Sequence, residues 1–169
     1  GSIQGLSTDF VASLSTAQIA ALGTASIAGL SSVQVGALSI EQVEALSTAQ
    51  IAALSSSGAA GLTTEDLGTF STAELAAISS DSIQGLSTTF VAALTSDQIA
   101  ALSTSQLASL GFNQIAAMST DQIASLSTSQ INALNALQLA ALDTDDIAVF
   151  TTDDIVALNS KAIAGLSTR

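Results

Sequence analysis

Five aspartates near the end of the chain are the residues whose type and spacing could bind a metal ion. They are Asp143, Asp145, Asp146, Asp153 and Asp154. Carboxylate oxygens are the ligands that Ca²⁺ prefers, but a calcium loop places a third ligand two residues after Asp145 and then a glycine. Ile147 stands at that point and no glycine follows. The cluster is therefore a candidate calcium site beside a simpler alternative, in which the acids stabilise two helix starts.

Catalytic chemistry has little support in this composition. The chain of 169 residues has neither His nor Cys, so its many serines lack the base that would activate a Ser or Cys nucleophile. We predict no catalytic residue, no cofactor and no enzymatic activity.

Paired hydroxyls could instead form a regular binding lattice. The pairs include Ser15-Thr16, Ser47-Thr48, Ser71-Thr72 and Ser103-Thr104. In a β-solenoid such rows would lie about 4.8 Å apart and could bind ice or another surface, whereas helical coils would space them by about 9 Å. The β-solenoid is kept as an alternative interpretation.

Net charge narrows the range of partners. The net charge of -12 comes from 14 acids against two bases, Lys161 and Arg169. Nucleic acids and anionic membranes both attract clustered Lys and Arg, so we expect binding to neither. We also expect no membrane insertion, because Ser, Thr or Gln recurs within every eight residues, which is too polar for a spanning helix. A protein or glycan partner remains open.

An uninterrupted octapeptide repeat must position all of these residues. Every eighth residue from Leu6 to Leu166 is apolar, and a second apolar series from Ile3 to Ile163 runs three residues ahead of it, reduced to alanine at Ala59. The first position of each octad is Ser, Thr, Asn, Asp or Gly, which are the residues that cap helix N-termini. The fourth position is Gln in ten octads and Glu74 in another, which completes a capping box. Most octads therefore begin a helix.

The eight-residue period of the apolar positions is incompatible with one long helix. Eight residues at about 100° each advance roughly 800°, so the apolar stripe would wind around the surface by about 80° per octad. We predict an all-α solenoid with one helix of about five or six residues per octad and Ile and Leu facing inward. Glycines at the seventh position (Gly5, Gly29, Gly61 and Gly85) favour about three octads per coil, with two as the alternative.

The domain organisation follows from the repeat. Residues 1–2 are interpreted as a cloning remnant and residues 3–169 as a single solenoid. Residues 82–102 repeat residues 2–22 almost unchanged, so the solenoid contains a duplicated block of ten octads, 3–82 and 83–162. Because the first and last octads look like interior ones, we expect a slice of a longer array whose ends can stack end to end.

The unit LSTAQIAAL, at residues 14–22 and 46–54, resembles the octapeptide arrays of large bacterial secreted or surface proteins of the adhesin and RTX-associated kind. This resemblance implies an extracellular or cell-surface stalk or spacer and carries over no site residues. The alternative function is a solenoid scaffold that binds a protein or glycan through its outward third and fourth positions. A third interpretation is an element of a self-assembling filament.

Overall fold

A computed structural model of the chain describes residues 5–158, and every regular element in that range is helical. Each octad from 7–14 to 151–158 forms one α-helix of four to six residues, except octad 79–86, which forms a 3₁₀-helix at Ile83–Gly85. The α-helices in chain order are α1 Thr8–Ala12, α2 Thr16–Ala20, α3 Thr24–Ala28, α4 Ser32–Val35, α5 Ile40–Glu44, α6 Thr48–Ala53, α7 Ser56–Ala59, α8 Thr64–Leu67, α9 Thr72–Ala77, α10 Thr88–Ala93, α11 Ser96–Ala100, α12 Thr104–Ser109, α13 Phe112–Ala116, α14 Thr120–Ala124, α15 Thr128–Ala133, α16 Ala136–Leu139, α17 Thr144–Ala148 and α18 Thr152–Ala157.

Each helix starts and ends for a local reason. Ser47 has an extended backbone, and its side chain accepts a hydrogen bond from the backbone N–H of Gln50, which starts α6. The helix ends at Leu54, which is extended again (φ -54°, ψ 134°), and Ser55 (φ -77°, ψ 166°) caps the next helix. Two extended residues therefore turn the chain at this Leu/Ser junction. No residue from 5 to 158 needs a positive φ to make such a turn.

The core is a column of fifth- and eighth-position side chains. Ile19, Ile51 and Leu107 are fully buried at the fifth position, and Leu30 and Leu54 are buried at the eighth. Burying one such side chain is worth about 1.5–3 kcal/mol, whereas an isolated helix of five residues is unstable in water. The short helices are therefore held by stacking, as the inward Ile and Leu series predicts.

Three octads make one coil. Helices contact the helix three octads further along the chain, as in α3 with α6, α6 with α9, α12 with α15 and α15 with α18. The alternative of two octads per coil is therefore wrong. At about 9–10 Å per packed layer, the roughly six coils in residues 5–158 form a rod about 60 Å long.

Small residues at the seventh position let neighbouring coils approach closely. A Cβ atom added to Gly85 would overlap the backbone carbonyl of Ser56, and one added to Gly61 would overlap that of Ser32. Both contacts are with the coil one layer back. Glycine is therefore required at these two positions by backbone contact between coils.

The β-solenoid interpretation is wrong. Residues 5–158 contain no strand, because the first hydroxyl of most pairs, such as Ser15 and Ser47, caps a helix. None of the helices in this range is long and apolar enough to cross a membrane. The interpretation of residues 1–2 as a remnant, the bases Lys161 and Arg169, and the octad positions beyond residue 158 lie outside the described residues.

Candidate functional site

The fourth-position glutamines lie between coils and connect them. In nine octads of residues 5–158 the side-chain amide nitrogen donates to backbone carbonyls of the preceding coil, and we call these side chains the bridging glutamines. They are Gln34, Gln42, Gln50, Gln98, Gln106, Gln114, Gln122, Gln130 and Gln138. The carbonyl at the junction always belongs to the residue 28 positions earlier.

Gln106 shows the arrangement in full. Its Oε1 accepts the backbone N–H of Ser103 at 2.8 Å, which closes the capping box of α12. Its Nε2 donates to the carbonyl oxygens of Leu75, Ala76 and Ile78 at 3.0, 3.2 and 2.7 Å. The side chain is 2% exposed. A single carboxamide therefore joins the start of one helix to the end of the helix one layer back.

This arrangement solves a problem that short helices create. The first N–H groups and the last carbonyls of any helix have no partner within it, and in a helix of six residues these groups are most of the backbone. Leaving such a group buried without a partner costs about 1–3 kcal/mol. Each bridging glutamine satisfies one helix start and one helix end, and so it stabilises both the helix and the stack.

The sequence reasoning assigned the fourth-position glutamines to capping boxes and did not predict that they also bridge neighbouring coils. A capping box needs only an acceptor at the fourth position, and a glutamate there would also interact favourably with the helix dipole. Yet the fourth position holds Gln repeatedly and Glu in the octad of Glu74. The preference for the amide over the carboxylate is the signal that a hydrogen-bond donor is needed, and it could have been read from the repeat.

The fourth position is not an outward binding surface, contrary to the scaffold hypothesis. Its side chains are buried between coils in most octads, as Gln50 and Gln130 show at 2% and 3% exposure. Third-position residues such as Ala17, Val33 and Glu41 are exposed as predicted. The reason is geometric: the side chain that reaches back to its own N-cap also lies against the coil beneath.

At the remaining octads the fourth position holds a different residue, and Ser82 and Phe90 still contact neighbouring parts of the stack. The shorter Ser82 donates its hydroxyl to the carbonyl of Leu54. Phe90 is fully buried and packs against Phe70, with ring centroids 6.5 Å apart. In the octads of Asp66, Asp146 and Asp154 a buried carboxylate accepts the N-cap hydrogen bond but has no proton to donate.

At Asp154 the hydrogen bond between coils runs in the opposite direction, because the fourth-position side chain accepts it instead of donating it. Its Oδ1 accepts the hydroxyl of Thr128, one coil back, at 2.8 Å, and its Oδ2 accepts the hydroxyl of Thr151 at 2.7 Å. The Thr151 hydroxyl is the main cause that lowers the pKa of Asp154; the Thr128 hydroxyl and the Thr151 N–H lower it further, while burial opposes them. The carboxylate is thus held in its ionised form.

The five candidate calcium residues serve helix starts. Asp143 caps α17 by accepting the N–H groups of Asp145 and Asp146, and Asp146 accepts the N–H of Asp143 in return. Asp154 accepts the N–H of Thr151 and so closes the capping box of α18, while Asp145 and Asp153 are exposed. Within residues 5–158 no group of three or more acids is arranged to hold a metal ion.

These contacts define an α-helical solenoid protein with one short capped helix per octad and three octads per coil. The chain belongs to the ALTTAQ repeat family, whose model matches residues 11–48, 60–96, 91–128 and 115–152. Neither a search of the curated proteins nor a search of the solved structures finds a match. The repeat family and the helical fold suggest a structural rather than a catalytic protein.

Proposed function

We propose that this array is a stalk or spacer in a larger bacterial surface or secreted protein, where it sets a distance and carries out no reaction. The observation that supports this role is the repetition of one contact set along the rod. The bridging glutamines make equivalent hydrogen bonds to the coil beneath in two stretches, from Gln34 to Gln50 and from Gln98 to Gln138. Each added coil therefore lengthens the rod and brings its own stabilising contacts.

Deletion of one whole coil tests the spacer role. Removing residues 111–134 takes out three octads, and Gln138 then occupies the place of Gln114 above Leu86. We expect the shortened protein to remain helical, with the same cross-section in small-angle X-ray scattering and a length reduced by about 9–10 Å. Loss of the fold, or a change in cross-section, would contradict the proposal.

A matched control removes residues 111–130, a deletion of nearly the same size that is not a whole number of octads. The deletion joins two octads out of register, so the Leu/Ser turn and the amide bridge no longer coincide. We expect this variant to lose helical circular dichroism. If both deletions behave alike, the stacking of octads does not determine the length of the rod.

The extracellular or cell-surface location is supported by composition and by the resemblance to surface-protein arrays. A net charge of -12 and the absence of Cys are compatible with type I secretion. Antibodies raised against the chain should label intact cells that produce the parent protein. Labelling that requires cell lysis would contradict the location.

The scaffold that binds a protein or glycan is the second candidate, because large apolar side chains stand on the outer surface at third positions. Val33 and Leu137 occupy third positions and are 68% and 72% exposed. Binding on a glycan array or in a pull-down that Val33→Ser and Leu137→Ser abolish would favour the scaffold over the spacer.

A further inference from the structure

The octad of residues 55–62 lacks a bridging side chain, because its fourth position is Gly58. A surface cavity of about 300 Å³ lies at the junction between this octad and the coil beneath. Its walls are residues 28–31 of the coil beneath together with Gln34, Ser55 and Ser57. A volume of this size is at the lower end of small-molecule pockets.

Two polar groups in this cavity are the equivalents of those that a bridging glutamine binds. In the octad of Gln106, the side-chain amide donates to the Ile78 carbonyl and accepts the Ser103 N–H. The corresponding groups here are the Leu30 carbonyl and the Ser55 N–H, and neither has a protein partner in residues 5–158. A Cβ atom on Gly58 would lie 3.2 Å from a methyl carbon of Leu54 and 3.4 Å from the Leu30 oxygen, so the Leu30 carbonyl lies next to the place where a fourth-position side chain would begin.

We infer that this cavity binds a primary carboxamide, whose oxygen accepts the Ser55 N–H and whose nitrogen donates to the Leu30 carbonyl. The protein itself shows the fit, since side-chain carboxamides occupy the equivalent position in nine octads. A carboxylate offers no donor to Leu30 and would lie against the carbonyl ends of α3, so the cavity discriminates against it. This binding activity goes beyond the spacer role.

Titration with propionamide, followed by ¹⁵N–¹H correlation spectra of the whole chain, tests the inference. Propionamide is the glutamine side chain from Cβ outward, so it presents the same amide at the same size. We expect a saturable shift of the Ser55 amide resonance in the millimolar range. Propionate and N,N-dimethylpropionamide, which lack the amide donor, should give no saturable shift.

Two variants make the result specific to the cavity. Gly58→Gln supplies the side chain from within and should abolish the propionamide response of Ser55. Gln106→Gly opens the matched space elsewhere and should create a new response at Ser103. The inference is overturned if Ser55 does not respond to propionamide, or if Gly58→Gln responds as strongly as the original chain.

A second ligand distinguishes the two possible sources of the carboxamide, which are a glutamine side chain of a partner protein and a free small amide. N-acetyl-glutamine N-methylamide presents the carboxamide as part of a peptide, and binding at least tenfold tighter than propionamide would point to a glutamine of a partner chain. Equal or weaker binding would point to a free small amide. A peptide that binds while propionamide does not would overturn the inference, because peptide backbone rather than the amide would then be recognised.

Discussion

The Nε2 atom of Gln106 lies 2.7 Å from the carbonyl oxygen of Ile78, which belongs to the preceding coil. The same amide closes the cap of its own helix through Ser103. Two neighbouring coils thus share one side chain, and the stability of a helix in this protein depends on the helix one layer back.

Replacing Gln106 by Glu should separate the two roles of this side chain. The carboxylate can still cap α12, but it cannot donate to Ile78 and lies against carbonyl oxygens, so we expect a loss of about 2–3 kcal/mol in the free energy of unfolding at pH 7. This environment raises the pKa of the new carboxyl in the folded state. The protonated form can donate, so the stability of the variant recovers as the pH falls through this raised pKa, and the recovery is complete below about pH 4.

Gln18→Glu is the matched control for this measurement. Gln18 makes the same capping box with Ser15 but is exposed and makes no bridge to another coil among the described residues. Chemical denaturation should show little change for Gln18→Glu and a clear loss for Gln106→Glu. Equal effects would show that the cap, and not the bridge, accounts for the stability.

Gly85→Ala should destabilise the contact between two coils. The new methyl group would overlap the Ser56 carbonyl, which is backbone and cannot rotate away, so we expect a loss of about 1–3 kcal/mol. Gly5 holds the same octad position with nothing within 4 Å of an added Cβ. Thermal unfolding should therefore be unchanged or slightly improved in Gly5→Ala. A Gly85→Ala protein as stable as the original would disprove the close approach.

Thr128→Val should weaken the reversed bridge at Asp154. Loss of the hydroxyl raises the pKa of Asp154 and costs about 1–2 kcal/mol at neutral pH. Because the folded-state pKa of Asp154 is lowered, its ionised form stabilises the protein above the ordinary Asp range and that contribution is lost as the pH falls. The difference between variant and original chain should therefore shrink below about pH 4.

The pH dependence can be checked by denaturant unfolding at several pH values and by NMR titration of the Asp154 carboxyl. Asp153→Asn is the control, since Asp153 is its exposed neighbour. A difference that grows in acid would contradict the assigned sign.

Calcium should leave the protein unchanged. Asp143, Asp146 and Asp154 already accept backbone N–H groups, and no three acids of residues 5–158 converge. Melting curves in calcium and in EDTA should therefore coincide. If calcium raised the melting temperature and Asp145→Asn removed that increase, the aspartate cluster would be a metal site.

End-to-end association should depend on Phe10. This residue corresponds to Phe90 ten octads later, but it is 48% exposed whereas Phe90 is fully buried and packs against Phe70. Covering Phe10 with the last coil of another copy would bury the same apolar surface. Sedimentation velocity should show that the protein associates at high concentration and that Phe10→Ser reduces this association. A protein that stays monomeric at high concentration would exclude end-to-end association.

Much of this fold could be predicted from the octad. The Ser and Thr caps, the inward Ile and Leu and the small seventh position each follow from a local rule that acts within a single repeat. Contacts between coils depend on the angle of the turn at each junction, for which the period gives no value. That is why the period alone could not separate three octads per coil from two, although the spacing of the seventh-position glycines favoured three.

Only one of the two roles of the fourth position could be predicted fully, because the contact between coils depends on the turn angle at each junction. The capping role of Gln106 is local and could be read from the S-x-x-Q spacing, whereas its partner Ile78 is set by the coil geometry. The cavity at Gly58 is a further consequence that the sequence shows only once the bridge is known.

The coil of three octads can be tested most directly by the distances between pairs of spin labels. The chain has no native cysteine, so labels can be attached at exposed third positions: Ser105 with Ser129, three octads apart, and Ser105 with Asp121, two octads apart. With three octads per coil, Ser105 and Ser129 should form the closer pair, with their backbones about one helix layer apart. A shorter distance between Ser105 and Asp121 would mean two octads per coil and would contradict the glutamine bridges.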